Sequence, residues 1–149
     1  MPEKKTMERA REDAREGKSA STQAGEFVRE EMEHIREGKH GAKNTKQAIA
    51  IGLSKARRAG VKLGTKKGTP ARTRHKAAQD RAAAKRHRKP SRKRSRAVEG
   101  ALKRQPRKAA SRRSLSRQAK TVAHKRSHAD RSRSAKKAAR TRKREKARR

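Results

Sequence analysis

Large apolar side chains are concentrated in one stretch of the chain. Residues 22–63 carry Phe27, Val28, Met32, Ile35, Ile49, Ile51, Leu53, Val61 and Leu63, whereas residues 64–149 carry only Val98, Leu102, Leu115 and Val122. Ala24, Phe27, Val28, Met32 and Ile35 recur at helical spacing, which predicts a helix over 22–37. Thr22 is its expected N-cap, Glu26 suits its first turn, and Gly38 ends it. A second helix is predicted over 45–59. Asn44 caps it, with Gln47 reaching back, and Ile49, Leu53 and Ala56 share one face. Lys55, Arg57 and Arg58 load the last turn, where positive charge is favoured, and Gly60 stops it. The connection from Gly38 to Lys43 makes the pair a helical hairpin with an apolar seam.

The flanking segments follow weaker signals. Met7, Ala10 and Ala14 predict a helix over 4–16, closed by Gly17. Thr69-Pro70 reads as a helix start for residues 70–88, with Pro90 as the breaker. A short helix is expected from Ser91 to about 104, and one long helix from Pro106 onward, with Leu115, Ala119 and Val122 on a thin face. The fold class is therefore all-α. A mixed-charge N-terminal helix and linker (1–21) precedes the hairpin core (22–63). A Lys/Arg/Ala/Ser-rich basic tail (64–149) follows, expected to be largely disordered or conditionally helical.

Composition supports that division. The 149 residues include twelve Leu, Ile, Val and Phe, about 8%, well below the roughly 20% under which a highly charged chain is expected to stay largely disordered alone. Net charge is +36 and is uneven. Residues 1–37 carry net −2, residues 38–63 net +7, and residues 64–149 net +31. A chain so charged repels itself, and a polyanion relieves the repulsion. Nucleic acid is the expected partner, ahead of an anionic membrane surface. No apolar run is long enough to span a bilayer, so no membrane insertion is expected, and the N-terminus has no apolar signal region. There is no cysteine for a zinc finger or disulfide framework. No cofactor, metal site or catalytic residue is expected, and an enzyme is not anticipated from so little core-forming material.

The candidate nucleic-acid-binding residues lie in two groups. Lys39, Lys43, Lys46, Lys55, Arg57 and Arg58 belong to the hairpin. Arg92, Lys93, Arg94, Arg112, Arg113, Lys136, Lys137, Arg140, Arg142, Lys143 and Arg144 belong to the tail. Linear basic charge contacts phosphates and releases counterions, without reading bases. Single-strand binders stack bases on aromatic rings. Phe27 is the only aromatic residue and falls on the apolar stripe, so duplex DNA or structured RNA backbone is expected ahead of a single strand, with duplex DNA favoured over RNA as the partner.

Other patterns admit two readings. Gly38-Lys39-His40-Gly41 is a GxxG between helices, as in backbone-clamping KH loops, or two glycines ending a helix and opening a turn. Residues 22–59 fit a helix-turn-helix with 45–59 as the reading helix, or a plain hairpin able to form a homo-oligomer. His124 and His128 stand at i,i+4 without a third ligand nearby, and residues 64–69 lack the spacing of a phosphate-binding P-loop. Serines beside arginines, such as Ser91, Ser95, Ser111 and Ser132, are placed where phosphorylation would lower DNA affinity.

The string TQAGEFVREEMEHIREGKHGAKNTKQAIAIGLSKARRAGVKL at 22–63 resembles small, very basic bacterial proteins with a domain of unknown function. Some members are labelled DNA-binding or plasmid-stabilisation proteins. The resemblance implies a bacterial cytoplasmic, nucleoid-type setting. The tail is also similar in composition to linker-histone tails and bacterial histone-like proteins. The expected function is sequence-nonspecific, phosphate-directed DNA binding of the nucleoid-associated or condensing kind. A structured-RNA or ribosome-associated protein, or a protein-interaction module of the stabilisation or antitoxin-like type, are the alternatives.

Overall fold

Ser19 opens the central helix: its Oγ accepts from the Thr22 backbone N–H at 3.4 Å. Helix α2 (Ala20–Arg36) therefore starts two residues before the expected Thr22 cap. The Ser/Thr run offers several caps, and the earlier one lets Ala20 join the core. The computed structural model describes residues 2–86 and 91–147, and it is all-helical, with no strand among the described residues. The other helices are α1 (Lys4–Arg15), α3 (Thr45–Arg58), α4 (Ala71–Arg86), α5 (Arg92–Lys103), α6 (Arg112–His124) and α7 (His128–Ala147). A 3-10 turn covers Arg107–Ala110. The chain divides into two units, Met1–Ser114 and Leu115–Arg149. The expected breaker Pro90 lies outside the described residues.

In the first unit α2 packs against α1 and α3, α3 against α4, and the 3-10 turn against α2 and α3. The apolar stripe of α2 becomes core as its spacing requires: Ala24, Phe27, Met32 and Ile35 are buried. Phe27 sits among Ala10 and Met7 of α1, Ala56 and Leu53 of α3, and Val61 and Leu63 beyond it. The start of α3 is doubly fixed. Asn44 Oδ1 accepts from the Gln47 N–H at 2.9 Å, and Gln47 Oε1 accepts from the Lys43 N–H at 2.7 Å. Gly60 ends α3 with φ 94, a conformation that costs a glycine little.

The core extends past the hairpin on both sides. Asp80 of α4 is buried, accepting from Ser54 Oγ at 2.7 Å and Arg58 Nε at 2.9 Å. Ala109 and Ala110 are buried, and their carbonyls accept from Thr45 Oγ1 at 2.7 Å and Arg36 Nε at 3.0 Å. Much of the basic segment after residue 63 is thus helical and partly docked, where a tail largely disordered or only conditionally helical was expected. Alanine supplies the helix propensity, and Asp80 and the 109–110 carbonyls supply the anchors that composition conceals. The apolar stripe of α2 is buried within the single chain.

The single long helix expected from Pro106 is instead three elements. Ser111 caps α6, accepting from the Ser114 N–H at 3.2 Å. In the second unit Ser127 caps α7, accepting from the Asp130 N–H at 3.1 Å while its hydroxyl donates to Asp130 Oδ2 at 2.9 Å. These caps start new helices where propensity alone would run one through. No residue of α5, α6 or α7 is buried.

Gly52 marks the closest approach of α2 and α3. A Cβ there would lie 2.7 Å from Val28 Cα, whereas one at Gly25 would meet nothing within 4 Å. Gly52→Ala should destabilise the fold by about 1–3 kcal/mol through overpacking, and Gly25→Ala should stabilise it by about 0.5–1 kcal/mol through helix propensity. Urea unfolding of the two variants beside the parent checks both signs.

Candidate nucleic-acid interface

The basic side chains of the hairpin are mostly engaged inside the molecule. Lys55 Nζ lies 3.2 Å from Glu30 Oε1 and 2.8 Å from Glu31 Oε2, and both glutamates are buried. Its ammonium is the counterion of a buried acidic pair, not a free phosphate contact. Arg58 is held by Asp80. Arg57 is partly buried, with its Nε enclosed and lacking a hydrogen-bond partner among the described residues. Lys39 pairs with Glu37 at 3.0 Å and Glu3 at 3.3 Å, and the Glu37 contact holds its pKa above the usual lysine value. Lys43 and Lys46 are exposed.

These contacts bear on the two motif readings. Helix α3 carries buried Thr45, Ala48, Gly52 and Ala56, lies between α2 and α4, and uses Gln47 in its own cap. Of the basic residues of α3, only Lys46 is exposed without an internal role shown by these contacts. In the GxxG loop the Gly41 N–H donates to the Leu102 carbonyl at 2.9 Å and the Ala42 N–H to the Pro106 carbonyl at 3.2 Å. Those amides are occupied by the chain itself. A Cβ at Gly41 would fall 1.9 Å from the Gln105 carbonyl oxygen, so this glycine serves a close backbone crossing.

The tail residues present a different surface. Arg92, Lys93 and Arg94 stand exposed in the first turn of α5, and Arg112 and Arg113 in the first turn of α6. Positive charge is disfavoured at a helix N-terminus, so an anion there would be welcome. Helix α7 is the most basic element. At 3.6 residues per turn, Arg133, Lys136, Lys137, Arg140, Lys143 and Arg144 fall within one sector of about 120°, with Asp130, Ser134, Ala138, Thr141 and Glu145 in the neighbouring sector and Arg131, Arg142 and Lys146 on the side facing away from the six. All six basic residues of that stripe are exposed. The stripe runs about 16 Å along the axis. Arg133 was absent from the candidate set although the i,i+3 and i,i+4 spacing to Lys136 and Lys137 reveals it; Arg142 lies off the stripe.

Acidic groups do little to offset this surface. Every acidic residue except Glu8, Glu12 and Glu145 has a basic partner within ion-pair distance among the described residues. In the tail, Glu99 is paired with Lys103 at 2.8 Å and Asp130 with Arg133, and each partner holds its carboxyl below the ordinary range. No helix among the described residues is long and apolar enough to cross a membrane.

Residues 15–67 match a family of unknown function, DUF6496. The matched span contains α2, α3 and the turn beyond them, and leaves out α4, the 3-10 turn and the basic helices. The similarity carries no functional label. No curated protein and no solved structure matches the chain.

The two kinds of lysine should separate in stability measurements. Lys55→Met leaves two buried carboxylates without their shared cation and should cost about 3 kcal/mol or more. Lys43→Gln and Lys46→Gln should change stability by no more than about 0.5 kcal/mol. Thermal unfolding followed by circular dichroism checks the difference.

Proposed function

We propose that this chain is a sequence-nonspecific, phosphate-directed DNA-binding protein of the nucleoid-associated, DNA-condensing kind, acting in a bacterial cytoplasm. The observation that carries the reading is the basic surface of α7, where six exposed cations share one sector over about three helical turns and Arg131, Arg142 and Lys146 stand exposed on the other side. Duplex phosphates are spaced closely enough to meet such a stripe, and contact releases condensed counterions. Exposed basic turns also open α5 and α6. Nothing on α7 supplies a base-reading geometry, since phosphate contacts position a protein without specifying sequence.

Helices α5, α6 and α7 suit this role because none of their residues is buried in a core. Isolated helices of their length are marginal in water, and neutralisation of like charge by phosphate strengthens them. Their helicity is then conditional in degree. The first unit holds the buried core and is the folded body of the chain. Near-absence of aromatic side chains favours duplex over single strand.

The test is binding of the full chain to two unrelated random duplexes across a salt series. Replacing the six stripe residues by glutamine should reduce the slope of log K against log salt by about 5, equally for both duplexes. A preference of more than about tenfold for one duplex, on the scale of base-specific contacts, would overturn the nonspecific reading. Displacement by a structured RNA at equal phosphate, with duplex DNA failing to compete, would instead favour an RNA-binding protein.

A further inference from the structure

We propose that Glu31, His34 and His40 form a binding site for a divalent transition-metal ion of the zinc class, which staples the α2–α3 connection onto α2. This goes beyond the DNA-binding reading and uses none of its residues. Glu31 and His34 stand at i,i+3 on the last turns of α2 and so share a face. Gly38 adopts φ 82, turning the chain back. His40 returns to place its ring edge-on to that of His34, with centroids 6.1 Å apart and an interplanar angle of 87°. One ligand atom from each of the three residues lies within 4.8 Å of the other two. Bonds of about 2.1 Å to a tetrahedral ion would place such atoms about 3.4 Å apart, a contraction that side-chain rotation can supply.

The chemistry of the carboxylate points to a missing cation. Glu31 is completely buried, and among the described residues neither of its oxygens accepts a hydrogen bond of good geometry, although Lys55 Nζ lies 2.8 Å from Oε2. Lys55 Nζ is an ion-pair neighbour of Oε2 outside hydrogen-bonding geometry, and it is shared with buried Glu30. One ammonium between two buried carboxylates leaves one negative charge in excess. His40 Nε2 lies 3.4 Å from the other oxygen, Oε1. An oxygen and two imidazole nitrogens form a donor set that zinc-class ions accept. Glu3 Oε1, 2.8 Å from His34 Nε2, orients that ring as carboxylates orient metal-bound imidazoles.

The site's consequence is structural. The loop that His40 belongs to also binds the 102–106 segment through Gly41 and Ala42. A metal at this point secures three separate pieces of the first unit.

The experiment titrates the full-length protein, freed of nucleic acid and treated with chelator, with Zn²⁺ and with Co²⁺. One equivalent should bind, Co²⁺ should acquire visible ligand-field absorption, and Zn²⁺ should raise the unfolding midpoint reversibly with chelator. His40→Gln and Glu31→Gln should each weaken binding at least about tenfold, while the double variant His124→Gln, His128→Gln should bind as the parent does. His40→Gln changes a loop residue and keeps the test valid if Glu31→Gln fails to fold. Absence of saturable one-equivalent binding, or binding that persists in His40→Gln and disappears in the His124, His128 double variant, would overturn the proposal.

Discussion

Glu30 and Glu31 are adjacent on α2, both are buried, and the architecture of the first unit is organised around their charge. Glu30 accepts from the backbone N–H of Glu3 at 3.1 Å, which fixes the start of α1, and from Lys55 Nζ, which fixes the end of α3. Glu31 faces Lys55 from one oxygen and His40 from the other. A buried carboxylate is tolerated only with compensation, so these partners must converge for the fold to form. The arrangement gives direction to helices whose apolar contacts, built largely from alanine, are small and permissive.

The same device recurs at the far side of α3. Asp80 is an isolated acid in a segment otherwise dense with lysine and arginine, and it is buried against Ser54 and Arg58. An acid placed among so many cations has abundant surface partners. Its burial against two groups of one helix gives α4 a defined seat. The 3-10 turn at 107–110 achieves its docking without charge pairs, through two carbonyls and two buried alanines.

The hairpin was legible because its signals are periodic and local. The stripe from Ala24 to Ile35 and the Asn44–Gln47 cap are read directly from spacing. The anchors beyond it were not, for physical reasons. Glu30 and Glu31 lie beside the apolar stripe and read as solvated face, since a sequence shows a charge but not its counterion. Ala109 and Ala110 bury too little area to stand out in a chain rich in alanine. Gly52 carries no turn signal, because its role is contact with Val28 across the helix pair. On the basic side, the abundance of Lys and Arg was plain, but which of them share a sector of α7 emerges only once the helix is started at Ser127. The break there is a three-residue event that composition averages away. Lys55 and Arg58 look like phosphate ligands in sequence and are counterions in the fold.

That sorting of cations into two populations has a consequence for how ionic strength acts on the molecule. Dissolved salt screens exposed charge within about 8–10 Å near physiological concentration, and reaches buried pairs far less. The cations on α7 lie in the screened population, and those on Glu30, Glu31 and Asp80 in the protected one. A rise in salt therefore quiets the surface field while the folded body keeps its shape, and dilution restores the field without any refolding. Such a protein separates the charge that holds its scaffold from the charge that faces solvent, set by where each ammonium or guanidinium is housed.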